Sequence, residues 1–265
     1  MGWFLDGEEL VVTLAPLAMY WVYSGFYEVL LRRTTVLDKY RLHSTREEET
    51  KNIASRTDVV KGVLLQQAIQ AAISVAVLKL TGDGGGATTR SPPEPLLVVA
   101  ARIGVAMVVL DAWQYFMHRL MHSSTYMYRR FHSWHHRVAA PYAFAAQYSH
   151  PVDGVLTETL SGAAAYLASG MSPRAAAAFF AFATVKGVDD HCGVAPPWNP
   201  LHAAFANNTA YHDVHHQRGG GRRNFSQPFF VVWDRLLGTH AAYDVRRRRD
   251  GGGLEVKVFK DQMLH

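Results

Sequence analysis

The chain has 265 residues, 49% of them aliphatic or aromatic and only 18% charged, with a formal net charge of +5. A charged share below the roughly 25% of soluble domains points to a membrane protein. The basic residues fall in short runs such as Arg32-Arg33, Arg129-Arg130 and Arg246 to Arg249, with no interleaved aromatic residues, which argues against nucleic acid as a partner and for membrane edges.

Read from the N-terminus, no basic region followed by a cleavage site is present, so no cleaved signal peptide is expected. Leu10 to Leu31 is long enough to span a bilayer. Val59 to Leu80 is a weaker span, interrupted by Lys61, Gln66, Gln67 and Gln70, and Leu96 to Met117 is a third, with Arg102 and Asp111 inside it. Val152 to Val188 is too long for one span and is broken at Gly170-Met171-Ser172-Pro173, which reads as a helical hairpin restarting at Pro173. Arg32, Arg33, Lys39, Arg41, Arg46, Lys51 and Arg56 lie between the first two segments, whereas Thr81 to Pro95 holds only Arg90 against Asp83 and Glu94. By the positive-inside rule the first loop is cytoplasmic and the second lumenal. The runs Gly84 to Gly86, Gly219 to Gly221 and Gly251 to Gly253 lack the context of a phosphate-binding loop and read as flexible connections. Cys192 is the sole cysteine, a buried structural thiol by expectation, which excludes an internal disulfide and a zinc-thiolate site.

Eight histidines fall into three boxes: His118 and His122 in HRLMH, His132, His135 and His136 in HSWHH, and His212, His215 and His216 in HDVHH. Positions i, i+3 and i+4 share one helical face, so each box is expected to aim its imidazoles at one point. Neutral imidazole ligates zinc, iron, copper and nickel. Eight nitrogens exceed the four of a tetrahedral zinc and suit two adjacent metal ions. The charge-based topology brings all three boxes, and His191 at the exit of the hairpin, to the cytoplasmic face, which makes His191 a ninth candidate ligand. His150 and His202 are possible additional ligands, while His43, His240 and His265 carry no signal. Asp111, two turns before His118 on the same face, is expected to orient a metal ligand, as are Asp190 and Asp213 (and Asp189) beside His191 and His212.

The expected architecture is all-α: an integral membrane helical protein with about four to five membrane segments, the hairpin included, and a cytosolic, helical, histidine-rich metal-binding cap. Residues 1–95 hold the first membrane segments, 96–240 the unit bearing the boxes and 241–265 a cytosolic tail.

The boxes, in this order, resemble those of the membrane fatty acid hydroxylase superfamily, which includes the sterol desaturases, and NFSQPFFVVWDRLLGT from Asn224 to Thr239 resembles its closing element. APLAMYWVYSGFYE, FHSWHHRVAAPYAF, YSHPVDG, GMSPR, VKGVDDHCG and NNTAYHDVHH are similar, more narrowly, to the plant sphingoid base 4-hydroxylases. The loop Gln217 to Arg223 and the run Ala175 to Ala178 depart from that pattern and leave the boxes intact. The resemblance implies a di-iron lipid monooxygenase of the endoplasmic reticulum membrane, with its metal site facing the cytosol. Such an enzyme inserts one atom of dioxygen at carbon 4 of sphinganine or dihydroceramide to give phytosphingosine-type bases, and needs no catalytic residue apart from the metal ligands. The chain lacks haem, flavin and nicotinamide signatures, so electrons must come from outside. The resemblance implies NADPH or NADH through cytochrome b5 and its reductase. The rival readings are a lipid desaturase or a sterol oxidase of the same superfamily, and, from a different class, a non-catalytic zinc-binding membrane protein or transporter, which would line its histidines along a pathway through the membrane.

Overall fold

Three segments carry enough consecutive apolar residues to form helices longer than the roughly 30 Å hydrocarbon core of a bilayer. In the computed structural model, which describes residues 7–81, 94–217, 221–249 and 251–259, these are α1 (Gly7–Arg33), α3 (Arg56–Thr81) and α4 (Leu96–Ser123). They match the three expected spans and extend each by up to six residues at one end. Glu8 and Glu9 begin α1 and Arg32 and Arg33 end it, charges that complement the helix dipole. Val22, Phe26 and Val29 of α1, Leu64 and Leu65 of α3, and Val105, Val108 and Phe116 of α4 are exposed, as a lipid-facing surface requires. The short α2 (Thr45–Lys51) begins with a capping box in which the Ser44 hydroxyl accepts from the Glu47 N–H and the Glu47 carboxylate accepts from the Ser44 N–H.

After α4 and α5 (Thr125–Arg130), the chain folds into the expected hairpin. Its first arm is α6 (Pro151–Gly154), a π-helical turn from Val155 to Thr159, and α7 (Leu160–Ser169). Gly170 turns the chain at φ 59°, a left-handed conformation that costs glycine nothing. Ser172 then caps the second arm, α8 (Pro173–Asp190), with Pro173 in its first turn. Both arms pack on the spans, α8 along α1 and α7 along α4. Two clusters form the core, one around Tyr20, Val59, Val63, Tyr148 and Val188, the other around Leu78, Ala106, Leu110, Ala165 and Phe179.

The remaining elements gather at one end of this bundle. Ile53 N–H donates to the Arg137 carbonyl at 2.7 Å, the Asn52 side chain pairs with both backbone groups of Ala140, and His43 meets Asp213 at 2.5 Å. These bonds tie the α1–α3 connection to the segments bearing the second and third boxes. α9 (Pro200–Ala204), α10 (Thr209–His216) and α11 (Val232–Leu236) follow.

Two expectations differ from the fold. The all-α expectation holds for most of the chain, but residues 241–265 include a β-hairpin, β1 (Tyr243–Arg247) antiparallel to β2 (Leu254–Val258) with Val245 opposite Val256. YDVRR and LEVKV alternate apolar and polar residues across a glycine turn, a period of two that the arginine run obscures. Val256 and Ala241 pack on Ala210 and Val214, so the hairpin covers the back of α10 instead of trailing as a tail. The second histidine box is a 3-10 helix, His132–Arg137, and not an α-helix. Gly84 to Gly86 and Arg90, Gly219 and Gly220, and His265 lie outside the described residues.

Asp234 organises the segment from Asn224 to Thr239. Its buried carboxylate accepts from the N–H groups of Phe225 and Ser226, at 3.0 and 2.6 Å, and from the hydroxyls of Tyr211 and Thr239, at 2.5 and 2.6 Å. Three buried donors and one half-buried hydroxyl thus depend on one side chain, and a buried donor left without its acceptor costs about 1–3 kcal/mol. Asp234→Ala should therefore destabilise the protein by about 3 kcal/mol or more, read as a fall in the thermal unfolding midpoint in detergent. A midpoint equal to that of the unaltered protein would show that the segment is held by other contacts.

Candidate metal centre

α4 delivers His118 and His122 from its last two turns, the 3-10 turn delivers His132, His135 and His136, α8 ends at His191, and α10 delivers His212, His215 and His216. α10 begins where the Asn208 side chain accepts from the N–H groups of Ala210 and Tyr211, which sets the register of its histidines. All nine imidazoles converge, but not box by box. One group is His118, His122, His132, His136 and His215, the other His135, His191, His212 and His216, and within each group the ligand atoms lie within 4.8 Å of one another. Each H-x-x-H-H box is therefore divided. Its i and i+4 members serve one group and its i+3 member the other, with the groups exchanged between the second and third boxes. The expectation that each box aims at one point is corrected on this observation.

The ring orientation is fixed from behind. The Nδ1–H of His118 donates to the Phe225 carbonyl at 2.9 Å, that of His135 to Tyr148 at 3.0 Å, and that of His191 to Gly187 at 2.8 Å. The Nδ1–H of His215 donates to the Arg223 carbonyl at 2.8 Å and that of His216 to Val138 at 3.0 Å, while His132 Nδ1 meets the Asp153 carboxylate at 2.8 Å. Because carbonyl oxygens only accept, these rings carry their proton on Nδ1 and present a bare Nε2 lone pair. The Nε2 atoms then face one another: His135 and His191 at 3.4 Å, His191 and His212 at 2.9 Å, His212 and His216 at 3.0 Å, His122 and His136 at 3.1 Å, and His136 and His215 at 3.2 Å. The Nε2 atoms of His118 and His132 are buried with no partner.

Where both rings are fixed in this way, as in His135 and His191, two Nε2 lone pairs face each other, an arrangement that a shared cation satisfies. Nitrogens bound to a common metal at about 2.1 Å stand about 2.9 to 3.4 Å apart at tetrahedral or octahedral angles, the separations seen here. Protons are disfavoured as the alternative. Burial, reinforced by the charge of neighbouring imidazoles, holds His135 down at about 4 and His191 at about 3, and pushes His136, His212 and His216 well below the ordinary histidine value. The donor set thus fits two metal ions, bound by nitrogen alone.

The expected supporting carboxylates are placed otherwise. Asp111 accepts from the N–H groups of Phe229 and Phe230, at 2.9 and 3.1 Å, so it anchors the segment before α11 instead of a ligand. Asp190 pairs with Lys186 at 2.5 Å. Asp213 holds His43 and the Gln217 amide. The carboxylate that does orient a ligand is Asp153, on His132, with its other oxygen accepting from the Thr157 hydroxyl. It was missed because 21 residues separate it from His132, and the one available signal was its place in YSHPVDG. His150 does not join either group; its Nδ1 caps α6 by accepting from the Val152 N–H. His202 stands 2.9 Å from Asp189, in a separate group with Cys192. Asp189 also accepts from Tyr27, at 2.6 Å, and from Asn199.

A cavity of about 180 Å³ opens at the second group, with His191 and His212 in its wall. Its wall combines apolar residues such as Val12, Ile73, Val77 and Leu78 with the polar Thr13, Ser74, Gln70, Gln114, Gln147, Glu158 and Asp190. A second, polar groove on the other side reaches His122, His136 and His215 and carries Lys51, Arg129, Arg222, Arg248, Arg249 and Lys257.

A family model described as fatty acid hydroxylase matches residues 103–239. The chain is 51% identical to sphinganine C4-monooxygenase 2 of Arabidopsis thaliana, over 98% of this chain and 99% of the relative, and 50% identical to sphinganine C4-monooxygenase 1, over 97% and 98%. It is also 48% identical to the very-long-chain aldehyde decarbonylase GL1-9 of Oryza sativa subsp. indica, over 96% of each. No solved structure matches.

Removing the carboxylate behind His132 frees that ring to rotate and lowers its basicity. Asp153→Ala should weaken metal retention by about 10- to 100-fold, measured as metal per protein after dialysis against a graded chelator. Retention like that of the unaltered protein would mean that Asp153 is not a support of the site. The buried imidazoles also make the metal-free protein sensitive to acid. Unfolded, they take up protons near pH 6.5, whereas folded His135 and His191 do so only near 4 and 3. Between those values the unfolded chain binds more protons, so stability falls as pH drops below about 6.5. The unfolding midpoint of metal-free protein should decline steadily from pH 7 to pH 5, and a flat profile would contradict the neutral-imidazole arrangement.

Proposed function

The chain belongs to the fatty acid hydroxylase family, and we propose that it hydroxylates carbon 4 of a sphingoid long-chain base, converting sphinganine or its ceramide to the phytosphingosine type. The observation that carries this reading is the apolar cavity whose polar end is walled by His191 and His212. Likeness over nearly the full length to two sphinganine C4-monooxygenases supports the substrate class.

The ligand set is His118, His122, His132, His136 and His215 for one iron and His135, His191, His212 and His216 for the other. Two irons there would supply the dioxygen chemistry that breaks an unactivated C–H bond, which no side chain can supply alone. Overall, one oxygen atom enters the C–H bond and the other leaves as water, with two electrons and two protons consumed. The chain's own residues do the rest. Backbone carbonyls and Asp153 hold six of the nine imidazoles in one tautomer. The aliphatic and aromatic wall holds an extended alkyl chain by burial, and the packed helices keep bulk water from the reacting carbon.

Electrons enter from outside in this reading, from NADPH or NADH through cytochrome b5 and its reductase. The basic groove leading to His122, His136 and His215 suits an acidic donor surface. The histidine end is read as cytosolic, in the endoplasmic reticulum membrane, because Arg32, Arg33, Lys39, Arg41, Arg46, Lys51 and Arg56 cluster there. Residues 96–240 are read as the hydroxylase unit, which carries all nine histidines. A second reading, cleavage of a long-chain aldehyde, is raised by the rice relative. The carboxylate and amides at the metal end of the cavity favour an amino-diol head over an aldehyde.

Expression in a yeast lacking its own sphingoid 4-hydroxylase should restore phytosphingosine in long-chain base profiles by mass spectrometry. His135→Ala and His215→Ala, one from each group, should each abolish it while the protein still accumulates in the membrane. Unmodified sphinganine alone, with protein and donor present, would overturn the substrate reading, and full activity in either variant would remove that histidine from the ligand set.

A further inference from the structure

We propose that Glu158 binds the 2-ammonium group of a free long-chain base and thereby selects amine-bearing substrates over N-acylated ones; this rests on the long-chain base reading above.

Glu158 closes the π-helical turn at the metal end of the hairpin and lines the cavity that reaches His191 and His212. A π turn is rare and is found mostly where a helix has been adapted to a functional site. The Glu158 carboxylate makes no hydrogen bond or ion pair with a described residue, and the charge that acts on it is the like charge of Asp153. A half-buried carboxylate beside another carboxylate, with no cation of its own, is unfavourable in a folded protein. The other acids near the metal end are committed: Asp153 to His132 and Asp190 to Lys186. Glu158 is therefore the acidic group that the cavity leaves for a ligand, and the ligand it asks for is a cation.

The surroundings fit an amine carried on an alkyl chain. Gly154 lies against the Gln66 amide, where a Cβ would collide. One helical turn farther along each element stand Glu158 and Gln70, facing the same space at about the same depth. Gln70 Oε1 is buried without a hydrogen-bond partner, a second acceptor for an ammonium or a neighbouring hydroxyl. Beyond this level the α3 wall runs for about 12 Å from Gln70 to Leu78, with Ala71, Ile73, Val77 and Leu78 apolar and Ser74, which pairs with Thr13 at 3.4 Å, as its one polar interruption. Carbon 4 lies two bonds from the amine-bearing carbon on the chain side. An ammonium held at Glu158 would therefore fix carbon 4 within a narrow range of positions beside the metal site. An amide nitrogen carries no charge, so N-acylation removes the attraction and adds a second chain.

The test is equilibrium binding of radiolabelled sphinganine and N-acetylsphinganine to the detergent-purified full chain, with and without bound metal. The unaltered protein should bind sphinganine at least tenfold more tightly than the N-acetyl form. Glu158→Gln should weaken sphinganine binding about tenfold or more, as expected for loss of a hydrogen bond to a charged group, leave N-acetylsphinganine binding unchanged and retain a normal metal content. Glu158→Asp should recover part of the loss. Equal affinity of the unaltered protein for the two lipids overturns the proposal without recourse to any variant, as does unchanged sphinganine binding by Glu158→Gln. If phytosphingosine is restored in yeast while either of these holds, only the role of Glu158 fails. If neither lipid binds and no phytosphingosine forms, the long-chain base reading fails with it.

Discussion

Nine imidazole nitrogens aimed inward from four separate chain segments would repel one another unless something neutralised them, and most of the architecture at this end of the bundle serves that convergence. Burial keeps protons off the rings. The carbonyls of Phe225, Tyr148, Gly187, Arg223 and Val138, with the Asp153 carboxylate, hold the opposite nitrogens. Those acceptors come from loops and helix ends, so the irregular backbone between α4 and the hairpin, and after α10, is a functional requirement. A continuous helix would consume its own carbonyls and leave none to orient a ring.

That dependence explains why the segment from Asn224 to Thr239 is so heavily tied down. It supplies the Phe225 carbonyl to His118, and Asp234 anchors that residue and the next through their N–H groups. Asp111, from the middle of a membrane-spanning helix, grips the same segment through Phe229 and Phe230. A carboxylate at that depth would be costly to leave unpaired, and here it fixes the loop that fixes a ligand. Its influence on the metal centre is real but indirect, which is why helical proximity to His118 misassigns its partner.

The histidine boxes, the three spans and the hairpin break at Gly170 to Pro173 were legible in the sequence because each is a local pattern whose physics is local. Spacing identified the candidate ligands but not their sorting. On a shared helical face, i, i+3 and i+4 diverge by enough to reach two points a few ångströms apart, and one box adopts a 3-10 turn that changes the angles further. Asp153, His43 and Asp234 stayed hidden because their partners are 21, 170 and 5 to 23 residues away, and such irregular separations leave no periodicity. The β-hairpin was obscured because Arg246 to Arg249 reads as a solvated charge run until its partner strand is seen.

The division of each box has a consequence for cooperativity. The second and third boxes each contribute to both groups, and His135 and His136 are adjacent in the chain, as are His215 and His216. A displacement of the 3-10 turn therefore misplaces histidines of both groups at once, as does a displacement of α10. The backs of these two elements are held by other parts of the chain. Val256 and Ala241 pack behind α10, and the backbone at Arg137 and Ala140, beside the 3-10 turn, is tied to Ile53 and Asn52. Two histidine groups built on shared elements cannot relax independently, so whatever disturbs one of those elements disturbs both groups.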